Sequence, residues 1–154
     1  MITVLIETGV NKHKAYKIKG KLHLKGMFMN NYQNHENGRF WIWWNNKKVE
    51  VRKISSSMQN IHCGVYDLQS NFLYWLTAIY GLNYLEKKKK LWYELEQIHL
   101  SQHGPWFLIG DFNNVLKAMD MSSGNLVQEK EYKDIISMMN RTNLSEMDTG
   151  GGGV

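Results

Sequence analysis

Four consecutive apolar residues at 106–109 constrain the fold of this chain more than any other stretch. A short apolar run bounded by turn residues is typical of a strand buried on both faces. This run follows Gly104-Pro105 and ends in Gly110-Asp111-Phe112-Asn113, and the sharp change to polar residues marks where the strand leaves the core. The pattern therefore predicts a buried strand whose end opens into a polar loop.

Asp111 and Asn113 are the first candidate functional residues. Side chains two positions apart in an extended backbone point the same way. One brings a negatively charged oxygen and the other an amide that both donates and accepts. The pair suits a hard cation, an activated water or a phosphate. An Asx-turn that closes the strand explains the same residues equally well, and both interpretations stay open on these residues alone.

The first part of the chain predicts a strand and a basic helix. Residues 2–6 are β-branched and apolar, which indicates a buried strand that ends at Glu7. A carboxylate at the carboxyl end of a buried strand lies where α/β proteins place ligand chemistry, and a solvated Glu is the simpler alternative. Residues 11–20 predict a short basic surface helix closed by Gly20.

Apolar or alternating segments in the middle of the chain predict further strands at residues 27–29, 40–44, 49–54, 60–66 and 72–80. A turn at Asn45-Asn46 joins the second and third of them as a hairpin, and the middle of the chain is predicted to be an antiparallel meander. The tryptophan cluster of residues 41–44 predicts core rather than a base-stacking platform. His62 and Cys63 are interpreted as ordinary strand residues, because no second ligand pair lies at metal spacing.

Two later segments change to helical spacing. Residues 85–100 predict an amphipathic helix, and its lysine run at 87–90 predicts a solvated face. Residues 117–128 predict a loop, and residues 129–139 predict a second amphipathic helix. Residues 143–148 predict the approach to another strand, and the four glycines at 150–153 are expected to end the fold.

Composition narrows the classes of function. The 154 residues fit one domain, and a formal net charge of +5 favours an anionic partner, nucleic acid first. The single cysteine, Cys63, excludes an internal disulfide, which fits a reducing compartment or a chain that does not rely on cross-links. No run approaches the ~18 apolar residues of a membrane span, and the start of the sequence lacks a signal-peptide layout.

Five motifs occur in the order and rough spacing of one family: Leu5-Ile6-Glu7-Thr8, residues 38–44, Ile79-Tyr80-Gly81-Leu82-Asn83, residues 104–114 and residues 144–148. On these motifs the chain resembles an endonuclease/exonuclease/phosphatase domain. Within that family it most resembles the apurinic-type endonuclease of plant LINE-type (non-LTR) retrotransposons. The resemblance implies a partial domain over residues 1–148, and the glycines predict a tail without fold at residues 149–154.

The resemblance also implies a fold, a reaction and roles for particular residues. The fold would be an α/β (α+β) four-layer sandwich, with helices outside two packed mixed β-sheets. The reaction would be Mg²⁺- or Mn²⁺-dependent hydrolysis of a phosphodiester, nicking DNA in the nucleus. Glu7 would be the metal ligand, and Tyr80 and Asn83 would contact the scissile phosphate. Asp111 would orient or deprotonate the attacking water, and Asn113 would help to hold water and phosphate.

Two departures from the family qualify these expectations. The family's first strand, with its metal-supporting Asn, and its late Asp and Ser-Asp-His motifs have no counterpart in this sequence. The resemblance therefore implies a truncated copy with weak or no activity, unpaired sheet edges and uncovered apolar faces. A catalytically dead remnant that binds nucleic acid non-specifically is the first alternative. A phosphatase of the same fold is the second.

Overall fold

The computed structural model describes residues 1–113 and 126–147, which form seven strands and three helices. The strands are β1 (Ile2–Ile6), β2 (Met27–Asn30), β3 (Phe40–Trp44), β4 (Glu50–Ser56), β5 (Asn60–Tyr66), β6 (Phe72–Tyr80) and β7 (Trp106–Asp111). The helices are α1 (Lys12–Lys21), α2 (Leu85–Leu100) and α3 (Leu126–Thr142). All seven strands and α1 belong to one compact unit, and α2 and α3 belong to a second.

The strands form two sheets that share one core. The first sheet has the order β1-β3-β2 and is antiparallel throughout. The second has the order β4-β5-β6-β7, in which β7 joins β6 in parallel. Phe40 and Ile42 of the first sheet pack with Ile61, Val65 and Ala78 of the second, all with no exposed surface. This confirms the predicted mixed α and β class with two packed sheets, although only the second sheet mixes strand directions.

The predicted hairpin of β3 and β4 is wrong. A turn at residues 45–48 does follow β3, but it carries the chain from the first sheet to the second. All of β3 is buried because it is the central strand of its sheet, with one face on the shared core. Trp41 and Trp43 on its other face pack with Ala15 of α1. The tryptophan cluster is therefore core, as predicted.

The predicted burial of β1 and β7 is also wrong, because both are edge strands. Within the described residues β1 pairs only with β3 and β7 only with β6. Leu5 on β1 is 36% exposed, and Phe107 and Ile109 on β7 are 42% and 48% exposed. The antiparallel meander is confirmed for β4, β5 and β6.

His62 and Cys63 lie in the core, as ordinary strand residues do. The His62 ring stacks near Trp75, and its Nδ1 lies 2.9 Å from the Thr77 hydroxyl oxygen. The Cys63 thiol donates to the carbonyl oxygen of Leu76 at 3.3 Å, and burial raises its pKa to about 12. The thiol therefore stays protonated and poorly nucleophilic at neutral pH.

The predicted helix at residues 85–100 is confirmed as α2, whereas α1 ends later than predicted and the lysine run of α2 is not wholly exposed. Asn11 caps α1 by accepting from the backbone N–H of His13, but the helix continues past Gly20 to Lys21. In α2, Lys88 is only 5% exposed, so the lysine run is not wholly solvated. Four consecutive helical residues cover every side of the helix, so one of them must face inward.

The second unit contains α2 and α3, which pack together and are joined by an ion pair of 2.7 Å between Arg141 and Glu96. Residues 126–128 of the predicted loop belong to α3, and the rest of that loop lies outside the described residues. Residues 144–147 have no regular structure, and the Gly-rich tail is likewise outside the described part. No helix described here is both long and apolar enough to cross a membrane.

Candidate phosphate- and cation-binding site

Three of the predicted site residues meet at the ends of neighbouring strands in the first unit. Glu7 directly follows β1, Tyr80 ends β6 and Asp111 ends β7. The parallel register of β6 and β7 places Tyr80 beside Asp111. The Tyr80 hydroxyl donates to Glu7 Oε1 at 3.0 Å, which joins the two sheets at this end. The fold therefore brings together two carboxylates and a phenol from distant parts of the chain.

Arg39 is a fourth member of the cluster, and the sequence prediction gave it no role. Its guanidinium carbon lies 4.6 Å from the centre of the Tyr80 ring, a cation–π contact. The Arg39 Nε atom is buried and donates to no acceptor within residues 1–113 and 126–147. The signal in the sequence was a lone cation directly before the strand Phe40–Trp44. That cation becomes a candidate only once the fold is known. Ile6 of β1 pairs with Phe40 of β3, and this pairing brings the neighbouring residues Glu7 and Arg39 to the same end of the sheet.

A buried asparagine fixes the backbone that carries Arg39. Asn31 is fully buried, and its Oδ1 accepts from the backbone N–H groups of Arg39 at 2.9 Å and Phe40 at 3.2 Å. Its Nδ2 donates to the carbonyl oxygen of Ser57 at 3.1 Å, which reaches across to the second sheet. Asn31 therefore holds the segment on which Arg39 sits.

The backbone at Glu7 has an uncommon conformation. Its φ of 57° lies in the left-handed region, which non-glycine residues adopt rarely. The next residue is tied down, because the Thr8 hydroxyl donates to the carbonyl oxygen of Gly38 at 2.7 Å. The backbone at Glu7 is therefore held in this conformation by the contact between Thr8 and Gly38.

Gln59 positions the end of β6. Its carbonyl oxygen accepts from the Tyr80 N–H, and its side-chain Oε1 accepts from the Leu82 N–H, both at 2.9 Å. Asn83 follows this segment and is exposed. Within the described residues no hydrogen bond joins Asn83 to Glu7, Tyr80 or Asp111.

The prediction that the side chains of Asp111 and Asn113 point the same way is wrong, because the backbone does not stay extended from Asp111 to Asn113. Asn113 has a φ of 54°, and its backbone N–H donates to Asp111 Oδ1 at 2.7 Å, the hydrogen bond of an Asx-turn. Its Nδ2 donates to the carbonyl oxygen of Gly81. Only glycine fits at 110, where a Cβ atom would collide with the Ile79 carbonyl oxygen.

The surroundings of Tyr80 raise the pKa of its phenol. Burial is the largest cause, followed by the hydrogen bond to Glu7 and the negative charge of that carboxylate. The positive charge of Arg39 opposes the shift, and the negative charge of Asp111 adds to it. The hydroxyl therefore stays protonated at neutral pH and acts as a hydrogen-bond donor.

The two carboxylates fit a hard divalent cation. Both are exposed, and each uses one oxygen, Glu7 Oε1 and Asp111 Oδ1, in a hydrogen bond to the protein. Mg²⁺ prefers one or two carboxylates together with waters and phosphate oxygens. No group of three or more His, Cys, Asp or Glu side chains suited to a metal occurs in residues 1–113 and 126–147. The donor set matches Mg²⁺ or Mn²⁺ with additional water or phosphate ligands.

Replacing Glu7 is expected to lower the pKa of Tyr80. Glu7→Gln removes the negative charge that disfavours the phenolate, so the Tyr80 titration should move to lower pH. The measurement is a ¹³C NMR pH titration of tyrosine ring carbons, with Tyr80→Phe to assign the signal. Tyr32 is the internal control, because burial raises its pKa through contacts that exclude Glu7. An unchanged Tyr80 titration in Glu7→Gln would contradict the coupling.

Comparisons with known proteins identify no family. The sequence matches no protein-family profile and no curated protein. Among solved structures, the human Nocturnin catalytic domain with bound sulfate anion is similar, with a TM-score of 0.43 and 16% sequence identity. The match covers 79% of this chain and 56% of that chain, so this chain spans little more than half of its length. A likeness of this size carries no argument about activity.

Proposed function

We propose that this chain carries the phosphate-cleaving site of a divalent-metal-dependent phosphodiesterase, and specifically of a DNA endonuclease. The observation that carries the proposal is the convergence of Glu7, Arg39, Tyr80 and Asp111 at one end of the two sheets. The two carboxylates would serve a cation and a water, and the arginine and the phenol would bind a phosphate. These are the groups that hydrolysis of a phosphodiester needs.

The carboxylates have different roles in this proposal. Glu7 would hold Mg²⁺ or Mn²⁺, which when bound polarises a phosphoryl oxygen of the substrate. Asp111 would orient the attacking water and accept its proton. The Asn113 N–H donates to Asp111 Oδ1, and this hydrogen bond fixes the orientation of the carboxylate. Its other oxygen, Oδ2, would be the one that contacts the water. Orienting a nucleophile in this way removes much of the entropic part of the barrier.

Arg39 and Tyr80 would bind the phosphate that is cleaved. The Arg39 guanidinium presents several N–H donors and a fixed positive charge, and its Nε lacks an acceptor in the described residues. The protonated Tyr80 hydroxyl supplies another donor. Donors that are already in place stabilise the negative charge that grows in the transition state. Asn83 would add a phosphate contact, and Asn113 would hold the water through Oδ1, since its Nδ2 is engaged by Gly81.

The substrate and the origin of the chain are inferred from the motifs. The five ordered motifs support descent from the endonuclease of a LINE-type retrotransposon, which acts on DNA in the nucleus. A net charge of +5 supports a polyanionic substrate.

Binding of nucleic acid without cleavage is the second candidate. The observation in its favour is that Glu7 and Asp111 each accept an internal hydrogen bond. A chain that had lost its activity would keep both residues for these structural contacts. Binding by such a chain would still weaken steeply with salt.

Metal removal distinguishes the two candidates. The purified chain should convert supercoiled plasmid to the open-circular form with Mg²⁺, lose this activity with EDTA and regain it with excess Mn²⁺. Nicking that continues at the same rate in EDTA would contradict the role of the carboxylates. Salt-sensitive DNA binding with no nicking in either metal would establish the second candidate instead.

A further inference from the structure

The net positive charge of this chain resides in one helix. The chain has 19 lysine and arginine residues and 14 acidic residues, and five of those lysines lie among the ten residues of α1. The remaining basic residues therefore equal the acidic residues in number, and α1 itself contains no acid. Lys12, Lys14, Lys17 and Lys21 are exposed, so the charge faces solvent.

This charge is unfavourable for the helix on its own. The N-terminal turn of a helix carries a partial positive charge, and α1 places Lys12, His13 and Lys14 there with no acidic residue. Like charges spaced three and four apart, as in Lys14 and Lys17, also repel each other. An anionic partner lying along α1 would relieve both effects.

The apolar face of α1 is already in use. Ala15 is buried against Trp41 and Trp43, and Ile18 packs on the same cluster. The ammonium group of Lys19 lies 4.5 Å from the centre of the Phe28 ring, so that lysine is held against the protein. A helix that inserts into a membrane interface needs its apolar face free, so the geometry favours a water-exposed polyanion over a lipid surface.

One exposed aromatic side chain, Tyr16, lies on the same helix, one turn after Lys12. Tyr16 is 88% exposed, and no ring contact or hydrogen bond engages it within the described residues. Aromatic side chains between cations are typical of surfaces that bind single strands, because unpaired bases stack on the ring while the cations follow the phosphates. Ten helical residues are about 15 Å long, so lysines exposed along α1 can follow a short run of phosphates on one strand.

The helix is also anchored near the candidate site. The Tyr32 hydroxyl donates to the carbonyl oxygen of Val10 at 2.9 Å and accepts from Trp41 Nε1 at 3.0 Å. The Lys12 N–H donates to the carbonyl oxygen of Glu36 at 3.3 Å. These bonds fix the short segment between Glu7 and α1, so a strand bound on the helix has a defined position relative to Glu7.

We propose that α1 is a docking surface for single-stranded nucleic acid, in which the four exposed lysines contact phosphates and Tyr16 stacks on an unpaired base. The inference rests on the proposed function only for the choice of DNA as the strand. It assigns to α1 the binding of substrate, whereas the cluster around Tyr80 performs the cleavage.

Two charge-matched variants test the lysines. Both are made in the full chain with Asp111→Asn, so that the DNA stays intact. Lys14→Gln/Lys17→Gln/Lys21→Gln changes α1, and Lys47→Gln/Lys48→Gln/Lys53→Gln removes three exposed lysines elsewhere. Binding of a fluorescein-labelled single-stranded oligonucleotide is followed by anisotropy across a salt series. The α1 variant should lose about 2 units of the slope of log K against log salt, since each contact contributes about 0.7. Equal losses in both variants would overturn the proposal.

Tyr16 separates single-strand docking from general charge attraction. Tyr16→Ala should weaken single-strand binding roughly tenfold and leave the salt slope unchanged, because stacking involves no counterion. Tyr16→Phe should bind as the unchanged chain does. No effect of Tyr16→Ala would overturn the stacking, and tighter binding of phosphatidylserine vesicles than of DNA through the α1 lysines would overturn the choice of partner.

Plasmid nicking by the chain with Asp111 intact separates this inference from the proposed function. If that chain does not nick plasmid but still binds DNA through α1, the proposed phosphodiesterase function is contradicted and the docking surface is not. Unchanged DNA affinity in the α1 variant of a chain that nicks would contradict the docking surface alone.

Discussion

Asp111→Asn should nick plasmid at least about 10²-fold more slowly than the unchanged chain, because positioned general bases contribute that much or more to rate. The same variant should fold as stably as the unchanged chain. An asparagine oxygen at this position still accepts from the Asn113 N–H, so the Asx-turn survives while the negative charge and the basic oxygen are lost. Initial nicking rates in Mg²⁺ and urea unfolding monitored by fluorescence give the two readouts.

Asp111→Ala divides the two roles of this residue. It removes the turn hydrogen bond as well as the charge, so it should lose about 1 kcal/mol of unfolding free energy in addition to the activity. Equal stability of the two variants would show that the turn contributes little, and equal nicking by Asp111→Asn and the unchanged chain would remove Asp111 from the mechanism.

Asp67 provides a matched control in the same unit. It also closes an Asx-turn, since its Oδ1 accepts from the backbone N–H groups of Gln69 and Asn71, both at 2.9 Å. The hydrogen bonds from Asn71 lower the pKa of its carboxyl group, so the side chain is charged at neutral pH as well. Asp67→Ala should lose stability as Asp111→Ala does and leave nicking unchanged.

Local periodicity in the sequence was enough to predict most of the strands and helices. It was not enough to predict which strands pair, because those partners are distant in the sequence. The apolar and alternating segments gave β2, β5, β6 and α2 nearly at their observed bounds, because each signal lies within one element. The partners of β3 are β1 and β2, which flank it through long connections, and no local pattern separates this from a hairpin with β4. The apolar run in β7 looks the same in a covered strand and in an edge strand.

The site shows the same division. Glu7 and Asp111 were candidates because each follows an apolar strand, where a polar residue is conspicuous, whereas Tyr80 was a candidate only through the family resemblance. Arg39 could not be predicted, since its role depends on the register between β1 and β3 and on the Tyr80 ring above which it lies. Asn31 was hidden for a related reason: its sequence surroundings are those of a loop, and only the fold buries it completely.

Asn31→Ala should therefore lower the free energy of unfolding by about 3 kcal/mol or more, because three groups lose their partner and each such loss in a buried site costs about 1–3 kcal/mol. The substitution leaves the backbone N–H groups of Arg39 and Phe40 without their acceptor and the Ser57 carbonyl oxygen without its donor. Chemical denaturation gives the measurement. Asn37→Ala, at an exposed position of the same loop, is the control and should change stability by less than about 0.5 kcal/mol.

The same substitution tests whether Asn31 acts through Arg39. At a temperature where Asn31→Ala is fully folded, its nicking rate should fall toward that of Arg39→Ala, because the guanidinium is no longer held over the Tyr80 ring. Arg39→Ala itself should keep most of its stability, since its Nε has no acceptor to lose among the described residues. Combining the two changes should then reduce nicking little further than Arg39→Ala alone, as coupled residues do. Fully additive losses would show that Asn31 supports the sheet but does not position the arginine.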